Sequence, residues 1–373
     1  METKGPLRHV KPAVRSLAAY TLALREAQVK LNQNENPWDL PQAVKRRVLE
    51  RALARPWSRY PAFDPRELLE ALACASGWRA DGILAGNGSN ELIEALLLVT
   101  VGAGTRVVIP EPTFTLYALM TTILGGEPVR VRLVPAAGPG LVYDAEAIAQ
   151  ARRRSDASVT IVCSPNNPTG NTLKRDEVER LCDEADSLVV IDEAYHEFSG
   201  ETMVPLLERH PNLVVLRTFS KALALAGLRV GYLLASPELV REVNKARLPY
   251  NINFFSQAAA IAALEEQPAL ARTVERLVRE RERVAAMLAD VPGVRAWPSQ
   301  ANFFLLELLA ADAKAVFAAL LRRGVLVRDV TGYPLLGRCL RISVGSEEEN
   351  DTFLRALGAA LGETGMDLAA GRA

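Results

Sequence analysis

The sequence predicts an α/β protein: a mostly parallel sheet covered by helices, followed by a smaller α+β domain. Short β-branched apolar runs recur through the middle of the 373-residue chain, and amphipathic segments of helical spacing separate them. The runs are apolar along their whole length rather than alternating, as in sheets buried on both faces. From about residue 258 a long Ala, Leu, Glu and Arg pattern leads into a second set of strands.

In chain order, the first-domain strands are TRVVIP (105–110), SVTIVC (158–163), SLVVID (187–192), NLVVL (212–216) and RVGYLLA (229–235). LKRDEVERLCDEAD (173–186) is a representative helix between them, and GNGSNELIEALLLVTVG (86–102) is a glycine turn opening another. The second domain begins with a helical pattern over 258–289 and continues through strands ANFFLLEL (301–308), VLVRDV (325–330) and LRISVG (340–345). The expected division is an N-terminal arm over 1–28, a large domain over 29–257 and a small domain over 258–373.

Composition excludes several functions. Lys+Arg and Asp+Glu both number 44, leaving no net charge to attract nucleic acid or an anionic membrane. The RRR run at 152–154 reads as a solvated helix end. Three histidines without ligand spacing predict no metal site. Four cysteines without CxxC spacing predict reduced thiols and a cytoplasmic location. The N-terminus METKGPLRHVKPAVR lacks the apolar core of a signal peptide, and no apolar run reaches membrane-spanning length.

In open α/β sheets ligands bind at the carboxyl ends of the strands. There the sequence places EPTFTLY after VVIP, SPNNPTG after VTIVC, DEAYHEF after LVVI and RTFSK after LVVL. Asp192 continues an apolar run directly, so it is either bound to backbone amides or the partner of a ligand cation. Asn167 lies in a turn by composition and is either part of a plain connection or an amide donor facing the crevice. The glycine turn before residue 89 is either a phosphate cradle or an ordinary capped helix. Lys221 stands alone among Ala, Leu and Gly in RTFSKALALAGLRVGY (217–232), either in a surface turn or as a functional amine.

Taken together, a phosphate cradle, an amine nucleophile, a carboxylate for a cation and an aromatic wall suit pyridoxal 5′-phosphate. That cofactor binds a lysine as a Schiff base, and its ring acts as an electron sink when the ring nitrogen stays protonated. Its phosphate suits an arginine fork and helix-terminal amides.

Over nearly its whole length the chain resembles the fold-type I pyridoxal-phosphate-dependent aminotransferases, and within them the histidinol-phosphate aminotransferases. The segments that carry this are KLNQNENP (30–37), RYP (59–61), GNGSNE (86–91), PTFTLY (112–117), CSPNNPTG (163–170), IDEAY (191–195), RTFSKALALAGLRVGY (217–232), PYNINFFSQAAA (249–260) and LRISVGSEEENDTFL (340–354). The resemblance implies the fold type I transferase architecture, with a mostly parallel sheet of the seven-stranded type in the large domain.

It also implies roles. Lys221 binds the cofactor covalently and shuttles the substrate proton, Asp192 pairs with the ring nitrogen, and Asn167 and Tyr195 bond the ring's phenolic oxygen. Phe114 stacks on the ring, while Ser89, Asn90, Thr218, Ser220 and Arg229 hold the phosphate. Tyr60 reaches the phosphate of a partner subunit, implying a homodimer with shared active sites. Arg341 takes the anionic group common to both substrates, and Arg328 and Tyr20 take the substrate's phosphate end. Two departures stand out: Phe114 replaces the subfamily's usual tyrosine, and LAAYTLALREAQ lacks its Pro-Tyr…Pro-Gly pattern.

The implied reaction exchanges the amino group between L-histidinol phosphate and 2-oxoglutarate. An aromatic amino acid aminotransferase would use the same residues with a different side-chain pocket. A lyase releasing carbon dioxide from a phosphorylated amino acid is a further alternative. A regulatory cofactor-binding module is disfavoured because the chain has no basic region for DNA.

Overall fold

Two sheets organise the computed structural model, which describes residues 5–18, 25–184 and 186–363. Their strands, in chain order, are β1 (Val29–Leu31), β2 (Ile83–Gly86), β3 (Arg106–Glu111), β4 (Glu127–Arg132), β5 (Val159–Cys163), β6 (Leu188–Asp192), β7 (Leu213–Thr218) and β8 (Gly231–Leu234). After them come β9 (Val294–Ala296), β10 (Phe303–Leu308), β11 (Val325–Asp329) and β12 (Cys339–Ser343).

The larger sheet has seven strands in the order β2-β8-β7-β6-β5-β3-β4. Strands β3 to β7 run parallel, and β8 is antiparallel to both of its neighbours. Parallel pairing needs a crossover of a dozen or more residues, usually a helix. The link from β7 to β8 carries only a 3-10 turn (Ala226–Leu228), so β8 returns antiparallel. Every residue of β5 and β7 is buried, the result of the unbroken apolar runs. On one face the helix Ser89–Thr100 buries Leu92, Ile93, Leu96 and Leu97. Each such side chain contributes about 1.5–3 kcal/mol by leaving water.

The smaller sheet has the order β1-β11-β12-β10-β9. Strand β1 pairs parallel with β11, Val29 opposite Val325 and Leu31 opposite Val327. The segment that begins the large domain in the sequence reading thus hydrogen-bonds into the small sheet, because its two buried apolar side chains join that sheet's core.

Two local expectations are corrected. The helical pattern over 258–289 forms two helices, Phe254–Glu265 and Gln267–Ala289. Pro268 lacks an amide hydrogen and starts a new helix at its first turn instead of continuing the old one. The RRR run is not wholly solvated, since Arg152 is buried and donates to the carbonyl of Leu181 and to Glu184. An orphan carbonyl at the end of helix Arg175–Asp183 draws the guanidinium inward.

Candidate functional site

A cavity of about 280 Å³ opens at the carboxyl ends of β5, β6 and β7 and is closed from the other side by β11 and β12. The register sets Cys163 opposite Asp192 and Asp192 opposite Leu216, so the strands end level and their following residues face one space. Of the side chains singled out in the sequence, Ser89, Asn90, Phe114, Asn167, Asp192, Tyr195, Thr218, Ser220, Lys221, Arg229, Arg328 and Arg341 line it.

Lys221 follows β7 and is half-buried, its Nζ donating to the carbonyl oxygen of Gln33 at 2.8 Å. Burial pushes its ammonium pKa down to about 8, helped by the positive charge of Arg341 and opposed by Glu35. The surface-turn alternative fails on this geometry. A lysine so lowered reaches its neutral, nucleophilic form at a milder pH than an ordinary lysine does.

Asp192 ends β6 and is buried. Its Oδ2 accepts from the Tyr117 hydroxyl at 2.6 Å and its Oδ1 from the Ala194 amide at 3.0 Å. Burial pushes its pKa up to about 6, although both hydrogen bonds favour the ionised form. A cation beside it would restore the carboxylate. Tyr117 packs edge-on against Phe114, with ring centroids 5.6 Å apart, so the aromatic wall and the carboxylate are held by one buried tyrosine.

An anion cradle lies at the start of helix Ser89–Thr100. Arg229 has a left-handed backbone, φ 51°, and its Nη1 donates to Ser220 Oγ at 3.0 Å. Thr218 Oγ1 donates to the same Ser220 oxygen at 3.0 Å. Gly88 has φ 83°, and a Cβ there would meet the Arg229 guanidinium at 2.5 Å. Only glycine lets the guanidinium lie this close to the helix N-terminus, where free amides and the helix dipole attract an anion.

Arg341 and Arg328 come from β12 and β11 and stand opposite each other in the antiparallel register. Arg341 donates through Nη1 to Asn167 Oδ1 and through Nη2 to the Asn32 carbonyl, each at 2.6 Å. Arg328 has no hydrogen-bond or ion-pair partner among the described residues, leaving its guanidinium available to an anion.

Tyr60 does not line the cavity. It is 80% exposed, stacked on Tyr250 with ring centroids 4.5 Å apart. Tyr20 lies outside the described residues. Sequence reasoning missed Tyr117 and the run 32–34. Tyr117 lies in the first turn of the helix Leu116–Leu124, and Phe114 lies in the loop just before it. The polar run in KLNQNENP gives no local sign of a role for any one residue, yet Asn32, Gln33 and Asn34 all line the cavity.

These residues fit pyridoxal 5′-phosphate. The donor set offers an amine, a buried carboxylate, an anion cradle and an aromatic face in one cavity. Asn32 also keeps a buried side-chain oxygen with no hydrogen-bond partner among the described residues, as expected of a wall built to face a ligand.

The family model for aminotransferase class I and II matches residues 26–357. The chain is 40% identical over 350 residues to the histidinol-phosphate aminotransferase of Chlorobaculum tepidum, covering 93% of this chain and 99% of that one. It is similar in structure, with a TM-score of 0.85 and 27% identity, to the histidinol-phosphate aminotransferase of Sinorhizobium meliloti in complex with pyridoxal-5′-phosphate, over 95% of this chain and 98% of that one. The L-threonine-O-3-phosphate decarboxylase of Porphyromonas gingivalis, at TM-score 0.78 and 24% identity over 90% and 99% of the two chains, shares the fold alone.

Proposed function

The chain belongs to the aminotransferase class I and II family, and from that premise we propose that it transfers the amino group of L-histidinol phosphate to 2-oxoglutarate. The products are imidazole acetol phosphate and L-glutamate, and the step belongs to histidine biosynthesis. The enzyme depends on pyridoxal 5′-phosphate, which when bound takes up the electron pair left as the substrate's α-proton departs.

This chain's residues supply the rest. Lys221 provides the amine that binds the cofactor and, once displaced, carries the proton from the substrate α-carbon. Asp192 balances a ring cation that its burial alone would not tolerate. Tyr195 and Asn167, which both line the cavity, would donate to an oxyanion on the ring edge. Arg229, Thr218, Ser220, the Ser89 amide and Asn90 take the cofactor phosphate, and Phe114 offers its face to the ring.

Two arginines on paired strands that both line the cavity, Arg341 and Arg328, carry the substrate reading. One site must hold a substrate phosphate in one half-reaction and a dicarboxylate in the other, and paired arginines suit both anions. Tyr60 and the exposed Trp57, Leu53 and Leu248 are read as the contact face of a homodimer in which Tyr60 serves the partner's phosphate cradle. A cytoplasmic location follows from the metabolic role; among the described residues no helix is long and apolar enough to cross a membrane.

Single-turnover spectroscopy tests the reading. Histidinol phosphate alone, without an oxo acid, consumes the visible absorption of the bound cofactor, and 2-oxoglutarate restores it. Failure with histidinol phosphate but success with phenylalanine assigns the aromatic reaction instead. Release of carbon dioxide without an acceptor assigns the lyase.

A further inference from the structure

We propose that Asn34 is a positioning residue that sets the direction of the Tyr195 hydroxyl, so that its one proton points into the cavity. The proposal rests on the reading of Tyr195 as a donor to the cofactor's ring oxygen.

The argument is one of donor and acceptor order. The Asn34 backbone amide donates to Ser343 Oγ at 2.9 Å, which uses an acceptor site of that hydroxyl and leaves its proton free. Ser343 Oγ in turn donates to Asn34 Oδ1 at 2.8 Å. The side-chain oxygen of Asn34 is thereby fixed towards Ser343, and its Nδ2 is the end facing Tyr195, 3.1 Å from the Tyr195 oxygen. An amide nitrogen only donates, so at this contact the tyrosine oxygen must accept. The tyrosine proton is then left for another acceptor, and Tyr195 lines the cavity. No other hydrogen-bond partner of the Tyr195 oxygen occurs among the described residues.

The residue is held in place for this. Asn34 is 1% exposed and has φ 55°, a left-handed conformation that asparagine tolerates better than most side chains. Asn302 Nδ2 donates to its carbonyl oxygen at 3.0 Å. Ser343 ends β12, whereas Tyr195 follows β6, so Asn34 connects the small sheet to the ring-oxygen donor of the large one. A tyrosine with a free rotor would divide its proton between orientations; this one has a single orientation left.

The test is a pH titration of the visible absorption of the cofactor-loaded protein. A hydroxyl that donates to an ionised ring oxygen favours that form, so losing the donation raises the titration midpoint. Asn34→Asp keeps the size and tolerates the left-handed backbone but accepts where asparagine donates, drawing the tyrosine proton away from the cavity. The expected result is a midpoint higher by about one pH unit, close to that of Tyr195→Phe. In a Tyr195→Phe background Asn34→Asp should add no further shift, because the effect passes through the hydroxyl. Ser343→Ala, which removes the group fixing the amide, should move the midpoint part of the way.

The proposal is overturned if Asn34→Asp lowers thermal stability but leaves the midpoint at the wild-type value. It is also overturned if the shift persists undiminished in the Tyr195→Phe background, which would mark it as direct charge repulsion. Should Asn34→Asp not fold, Ser343→Ala decides: a midpoint unchanged from wild type overturns the proposal. Failure of the underlying reading looks different. Tyr195→Phe itself would then leave the midpoint at the wild-type value, whatever Asn34→Asp does.

Discussion

Arg341 Nη1 donates to Asn167 Oδ1 at 2.6 Å, joining a side chain of the small sheet to the turn that follows β5 of the large one. The same guanidinium reaches the Asn32 carbonyl through Nη2 at 2.6 Å, so its plane is fixed by two bonds before any anion arrives. Lysine can keep the charge but not the fork. Arg341→Lys should therefore lower kcat/KM about 100-fold for both the amino donor and 2-oxoglutarate, a loss of about 3 kcal/mol in each half-reaction. Steady-state kinetics on both substrates checks this; a loss confined to one of them would remove Arg341 from the shared anion site.

The depressed pKa of Lys221 gives a pH dependence with a definite sign. Below about pH 8 the amine is protonated, and above it the amine is neutral and nucleophilic. The rate at which the apoprotein takes up pyridoxal phosphate should rise with pH and level off past a midpoint near 8, not near the 10.5 of an ordinary lysine. Stopped-flow absorbance at constant ionic strength measures it. Lys221→Ala should abolish both the uptake signal and turnover.

For Asp192 the linkage runs the other way. Its folded pKa of about 6 lies above the 3.8 of an ordinary aspartate, so the folded apoprotein binds the extra proton. That stabilisation is fully present below about pH 4 and is lost as pH rises through 6. Relative to Asp192→Asn, the wild-type apoprotein should lose about 3 kcal/mol across this window, and cofactor binding should reduce the loss. Denaturant melts at pH 4, 5, 6 and 7 on both proteins provide the comparison. Turnover of Asp192→Asn should fall by about 100-fold or more with the cofactor still bound.

Gly88→Ala tests the anion cradle. The added Cβ meets the Arg229 guanidinium at 2.5 Å on a backbone of φ 83°. Apoprotein stability should drop by about 1–2 kcal/mol and cofactor affinity by about tenfold or more. Thermal melts and a cofactor titration separate the two effects; an unchanged affinity would place the phosphate elsewhere.

The shared-site reading of Tyr60 predicts complementation. Tyr60→Ala and Lys221→Ala should each be severely impaired, yet a 1:1 mixture exchanged into mixed dimers should recover about a quarter of wild-type activity, from one intact site in half the dimers. No recovery on mixing would mean that Tyr60 serves its own chain or none.

The parts of this structure that were legible are those whose chemistry is local. Strands β5, β6 and β7 are unbroken apolar runs, and the polar residues after them stand out because nothing else interrupts those runs. Strand β4 carries no such signal because it is an edge strand, Glu127–Arg132, with charges at Glu127, Arg130 and Arg132. Strand β1 is three residues long and carries no signal apart from its distant partner β11. The break before Pro268 was written in the sequence and was overridden by the helical pattern on either side. In the site, Lys221, Asp192 and Arg229 were readable as charges in apolar surroundings. Tyr117 was not, since a buried tyrosine looks like core until its hydroxyl is found on Asp192. Asn34 depends on Ser343 and Tyr195, both far away in the chain, and no local pattern reports such a triangle.

The pairing of β1 with β11 bears on how the protein is made. Val29 emerges from the ribosome long before Val325, its partner, and until then the early strand has no edge to join. Residues 32–34, which carry the Lys221 contact and the Tyr195 contact, hang from that strand. The large sheet can assemble while synthesis continues, but the catalytic cavity is completed only when the last strands are translated. A nascent or C-terminally truncated chain therefore holds a lysine and a carboxylate without the wall that orients them, and binding activity arises as one of the final events of folding.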